Sequence, residues 1–130
     1  MEKILITGAS GFVGGFLVEE AFKRGLNVFA AIRKSSNLQY LTDSRINFIE
    51  LDFEDVDKLA KQLAVHSFDY LVHNAGVTKT PNKDLYFKVN AEYLNNILTA
   101  CKKLSYPLKK LTYISSLASY GPADYSEDGI

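Results

Sequence analysis

The chain has 130 residues, 47% of them apolar and 23% charged, which suits one compact soluble domain. Fifteen basic residues balance 15 acidic ones, removing the electrostatic motive for nucleic-acid binding. Cys101 is the sole cysteine, which excludes an intramolecular disulfide and a cysteine-rich zinc site.

Met1-Glu2-Lys3 leads straight into Ile4-Leu5-Ile6, with no leader-like segment, and no stretch reaches the ~20 apolar residues that cross a bilayer. The expectation is a cytoplasmic protein without membrane association. Lys3 to Thr7 reads as a strand buried on both faces. Phe12 to Arg24 follows at helical spacing through Phe12, Phe16, Leu17 and Ala21, closed by Gly25. Asn27 to Ile32 is a second strand, then a polar stretch from Arg33 to Asn37 and a short helix over Leu38 to Leu41. Ile46 to Phe53 is strand three, and Asp55 to Val65 is helical, with Val56, Leu59 and Leu63 on one face. Phe68 to Asn74 is strand four. Thr78 to Asn82 is a loop. Asp84 to Leu104 is a long amphipathic helix, broken by Pro107 before strand five, Leu111 to Ser115. Cys101, in the interior of that helix, reads as a small buried apolar residue.

Strand and helix alternate five times, which predicts an α/β domain over residues 1–130. Right-handed crossovers leave a Rossmann-type, doubly wound parallel sheet of about five strands in the order 3-2-1-4-5, with helices on both faces. A ligand then belongs outside the carboxyl ends of strands one and four, where the order reverses.

The loop Thr7-Gly8-Ala9-Ser10-Gly11-Phe12-Val13-Gly14 joins the first strand to the first helix at that point. Gly8 serves the tight turn, Gly11 lets backbone approach a pyrophosphate, and Gly14 lets helix pack closely on strand. The helix start offers unpaired N–H groups and a positive dipole end to phosphates. With no Gly-Lys-Ser/Thr ending, an ATP-type loop is disfavoured.

The Thr-Gly-x-x-Gly-x-x-Gly spacing, with Gly-Phe-Val-Gly inside it, resembles the extended short-chain dehydrogenases, which include epimerases, dehydratases and reductases. Four further segments, together spanning essentially the whole chain, resemble the same superfamily in the same order. The resemblance implies adenine contacts from Asp52 and Phe53, with capping of the next helix a compatible role for Asp52. It implies that Asn74, Ala75 and Gly76 flank the adenosine ribose, and that Asn90 supports the active site. It implies that Ser116 hydrogen-bonds the reacting substrate oxygen, a strand-end cap being the bland alternative. The family's proton-transferring Tyr with Lys four positions on is expected to be absent from this chain: the Lys position after Tyr125 holds Gly129, and that after Tyr86 holds Asn90. By itself the chain is expected to bind cofactor without turnover, as the front part of a longer enzyme. A stand-alone NADP-sensing or partner-binding module is the alternative.

The end of strand two decides which ribose is read. An acid there pairs with a 2′-hydroxyl and an Arg accommodates a 2′-phosphate. Ala31-Ile32-Arg33-Lys34-Ser35 carries no acid, and Arg33 falls about 20 residues beyond Gly14, the expected reach. Arg33 and Lys34 therefore favour NADP, with NAD possible and a solvated basic turn as the alternative. His66 reads as a helix-end residue and His73 as a strand-end residue with local partners. Neither has companions at metal-ligand spacing. An uncovered fifth strand predicts self-association into homo-oligomers through that edge or its neighbouring helix.

Overall fold

A computed structural model describes residues 1–74, 84, 91–106 and 108–114. Its elements are β1 (Lys3–Thr7), α1 (Phe12–Lys23), β2 (Asn27–Ala31), β3 (Asn47–Ile49), α2 (Val56–His66), β4 (Tyr70–His73), α3 (Tyr93–Lys102) and β5 (Lys110–Tyr113). The strands form one parallel sheet in the order β3-β2-β1-β4-β5. Topology and fold class are as the alternating pattern predicts.

The two-residue period of β1 splits the core into two layers. Ile4 and Ile6 pack with Val18 and Ala21 of α1, while Leu5 on the opposite face packs with Leu59 and Leu63 of α2 and Ile97 of α3. Leu5, Ile6 and Thr7 are fully buried. α1 ends as Gly25 predicts: at φ 75° it lets its N–H reach Phe22 and the Leu26 N–H reach Ala21, which satisfies the last carbonyls. α2 begins at Asp55, whose side chain accepts from the Lys58 N–H, and His66 lies in its last turn.

Three expectations change. α1 is a helix, but Phe12 and Phe16 are 65% and 59% exposed, and the buried stripe runs through Gly14, Val18 and Ala21. Leu38 to Leu41 is a turn, closed by the Leu41 N–H on the Leu38 carbonyl, and only Leu41 enters the core. Four residues cannot offset the cost of starting a helix. β3 stops at Ile49 because its neighbour β2 stops at Ala31; beyond the bond from the Ile32 N–H to Ile49 there is no ladder left to join. Of the long helix from Asp84, residues 85–90 lie outside the described residues.

Candidate functional site

The strand order reverses between β1 and β4, and the carboxyl ends of these strands are tied together there. Thr7 and His73 are direct partners in the register. Thr7 Oγ1 lies 2.7 Å from His73 Nδ1 and accepts the Asn74 N–H at 3.1 Å. The Asn74 side-chain amide donates to the Gly8 carbonyl at 3.2 Å. His73 is fully buried, and its Nε2 has no hydrogen-bond partner among the described residues. Burial pushes its pKa down to about 4, so the ring is neutral at physiological pH. The local partnering expected of this histidine thus holds at one nitrogen only.

Gly8, at φ 62°, turns the chain out of β1 in a conformation that a side chain would strain. The Gly11 N–H closes the loop on the Gly8 carbonyl at 3.3 Å. A Cβ on Gly14 would come within 2.5 Å of the carbonyl oxygens of Gly8 and Ala9, so helix and loop touch backbone to backbone. Gly11 is different. Among the described residues a Cβ there meets nothing nearer than the Gly8 carbonyl oxygen at 3.6 Å, which leaves room over the loop. Gly11 also serves as the N-cap of α1 without a side-chain cap, and no acidic residue occupies the first turn. Phe12 and Val13 are exposed, and Ser10 is half-buried. The first turn of α1 therefore presents N–H groups and a positive dipole end with no carboxylate of its own on them.

Arg33 and Lys34 are exposed on a tight turn directly after β2. Ser36 closes that turn twice: its Oγ accepts the Arg33 N–H at 2.8 Å, and its N–H donates to the Arg33 carbonyl. Asp52 and Phe53 follow β3. The Asp52 carboxylate accepts the Glu54 N–H and lies 3.6 Å from Lys58 Nζ. The cap of α2 is Asp55, so the capping role considered for Asp52 falls to the residue three positions on. Phe53 stacks on Tyr93 with centroids 5.3 Å apart, and Asn96 Nδ2 holds its carbonyl at 2.8 Å. Ala75, Gly76, Asn90 and Ser116 lie outside the described residues.

One literal Tyr-x-x-x-Lys spacing does occur, from Tyr106 to Lys110. It is no proton-transfer pair. The Tyr106 hydroxyl is spent on the Leu63 carbonyl, and Lys110 opens β5 at the end of the sheet away from the glycine loop. Sequence reasoning also passed over Asn96, and over Gly15 with Tyr40. A Cβ on Gly15 would stand 2.9 Å from the Tyr40 Cβ.

A glycine loop opening an uncapped helix at the switch point is the geometry of a dinucleotide site, and comparison with known proteins agrees. The model of the NAD-dependent epimerase/dehydratase family matches residues 4–129. The chain belongs to that family. Mouse UDP-glucose 4-epimerase is 30% identical over 142 residues, covering 96% of this chain and 40% of the mouse protein. The sterol-4-alpha-carboxylate 3-dehydrogenase (decarboxylating) of Candida albicans is 28% identical over 89% of this chain and 35% of its own length. Among solved structures, UDP-glucuronic acid 4-epimerase from Bacillus cereus, in complex with NAD, is 30% identical with a TM-score of 0.70. That match covers 92% of this chain and 42% of the Bacillus protein. The chain thus spans about two-fifths of the length of these relatives and carries the family's dinucleotide-binding region. Among the described residues no helix is long and apolar enough to cross a membrane.

Proposed function

We propose that this chain holds NADP, in preference to NAD, as the cofactor-binding part of an epimerase, dehydratase or reductase. The substrate class is a nucleotide-sugar or a small carbonyl or hydroxyl compound. One observation carries the reading: an uncapped helix start beside an open Gly11, with Arg33 rather than an acid on the turn after β2. The residues fit the cofactor part by part. Gly8, Ser10, Gly11, Phe12, Val13 and Gly14 would take the pyrophosphate on backbone N–H groups. Asp52 and Phe53 border the adenine, and Asn74, Ala75 and Gly76 the adenosine ribose. Arg33 and Lys34 would meet a 2′-phosphate, for which the flat guanidinium fork is suited to paired hydrogen bonds. The bound nicotinamide supplies a hydride acceptor or donor. Ser116 is the hydroxyl that would hold the reacting substrate oxygen, with Asn90 supporting it.

Thermal unfolding with NADP⁺ and NAD⁺ in parallel tests the reading. A ligand that binds only the folded state stabilises it by about 2.7 kcal/mol at a hundred times its Kd. NADP⁺ should raise the melting temperature more than NAD⁺ at equal concentration, and Arg33→Ala should erase the difference. Equal shifts in the unaltered chain contradict the NADP preference; no shift with either contradicts the site.

A further inference from the structure

The segment between β2 and β3 is fastened to α1 at several places: Tyr40 lies on Gly15 and Phe12, Leu41 and Ile46 pack with Val18 and Ala21, and the Arg45 guanidinium lies 4.2 Å from the centre of the Phe22 ring. Of these contacts, that of Tyr40 reaches nearest to the glycine loop. From Arg33 to Leu41 the chain makes three successive turns. Ser36 closes the first, the Asn37 carboxamide accepts the Gln39 N–H in the second, and Leu38 accepts the Leu41 N–H in the third. Among the described residues none of these turns buries Arg33: residues 33–35 and 37–40 are exposed, Tyr40 itself by 47%. The anchorage comes at the far end. Leu41 is buried among Val18, Ala21 and Ile46, and Tyr40 lies flush on α1 at Gly15. The Tyr40 ring meets the Phe12 ring edge-on at 5.9 Å, and Phe12 meets Phe16 edge-on at 5.1 Å. Phe12 is the first residue of α1, so its backbone N–H sits at the pyrophosphate end of the proposed site while its ring carries Tyr40.

We infer that Tyr40, seated on Gly15 and against Phe12, is a positioning residue that sets the distance between the pyrophosphate amides and the Arg33 turn, and so determines ribose selectivity. The inference rests on the NADP reading above. Its physical basis is that an exposed cation must be held at a fixed span from the pyrophosphate for both groups of one ligand to bind together. A turn released from α1 samples other positions, and the apparent affinity falls by the fraction of molecules still competent. Gly15 lies outside the three glycines that serve the phosphate loop, and the Tyr40 contact explains why no side chain stands there.

The test compares Tyr40→Ala, Tyr40→Phe, Gly15→Ala and Arg33→Ala by equilibrium binding of NADP⁺ and NAD⁺, with amide hydrogen exchange at Ser36 and Leu41. Tyr40→Ala should speed exchange at both amides. It should weaken NADP⁺ about three- to tenfold, as expected if a tenth to a third of the molecules remain competent, and leave NAD⁺ within about twofold. Gly15→Ala should do the same although alanine favours the helix, because its methyl displaces Tyr40. Tyr40→Phe should restore the unaltered behaviour, since the ring and not the hydroxyl makes the contact. Arg33→Ala separates the two ideas. If it lowers NADP⁺ binding while Tyr40→Ala leaves the NADP⁺ to NAD⁺ ratio unchanged, the positioning role is wrong and the cofactor preference stands. If the unaltered chain binds both dinucleotides alike, the preference fails and takes the positioning role with it. A uniform loss of both ligands in Tyr40→Ala reduces Tyr40 to a structural contact and overturns the inference.

Discussion

The Asn74 side-chain amide donates to the Gly8 carbonyl oxygen at 3.2 Å, joining the end of β4 to the glycine loop after β1. The same carbonyl accepts the Gly11 N–H, and Gly14 abuts it. The backbone of Asn74 is expected to flank the adenosine ribose; its carboxamide nitrogen in addition holds the glycine loop proposed to receive the pyrophosphate.

Asn74→Ala should therefore destabilise the fold by about 1 kcal/mol, the worth of one neutral hydrogen bond, and weaken dinucleotide binding as the loop loosens. Asn74→Asp should be worse on both counts, since a carboxylate oxygen would face the Gly8 carbonyl. Denaturant unfolding with and without NADP⁺ reads the two effects. An alanine variant that binds as tightly as the parent removes Asn74 from the site's support.

Gly14 and Gly11 should separate stability from binding. Gly14→Ala places a methyl 2.5 Å from two backbone oxygens that cannot step aside, so overpacking should cost at least the usual ~1–3 kcal/mol. Gly11→Ala meets only ordinary contact at 3.6 Å and should cost about 1 kcal/mol or less, as a weaker N-cap, yet lose most dinucleotide-induced stabilisation. Melting curves of both variants with and without ligand decide it, and a reversal of the two effects is incompatible with this geometry.

His73 should make stability depend on pH. Desolvation lowers its folded-state pKa from 6.5 to about 4, so between those values the unfolded chain binds the proton and the folded chain does not. The contribution is fully present above pH 6.5 and is lost as pH falls toward 4, by up to about 3 kcal/mol. Urea midpoints at pH 7 and pH 4.5 should differ more in the unaltered chain than in His73→Leu. Equal slopes would show that His73 is not the titrating group.

Cys101 is half-buried in α3, and burial raises its thiol pKa to about 11. The thiolate is the reactive form, so the native protein should resist iodoacetamide at pH 7.5 and react fast only in denaturant. Rapid labelling of the folded chain contradicts the packing described here.

Local signals carried most of the architecture. The apolar run of Lys3 to Thr7, the glycines at 8, 11 and 14 and the stop at Gly25 each act through neighbouring backbone, and each stands where sequence patterning puts it. The misjudged details depend on partners distant in sequence. Helical spacing cannot say which face of α1 is buried, because Phe12 packs on Tyr40 and Phe16 on Phe12 at the surface while Val18 and Ala21 fill the core. The length of β3 is set by where β2 ends. Gly15 carries no local mark of the side chain that lies on it. The bond from Asn74 to Gly8 spans 66 positions and depends on which strand neighbours which.

The most direct test of the account is a titration of isotope-labelled protein with NADP⁺, followed by backbone amide resonances. The central claim is that the glycine loop and the first turn of α1 receive the pyrophosphate. The amides of Gly8 to Gly14 should then shift saturably, with those of Arg33 to Ser36 moving in step at the same Kd. Saturable shifts confined to other surfaces, with the loop from Gly8 to Gly14 unmoved, would contradict the account at its base.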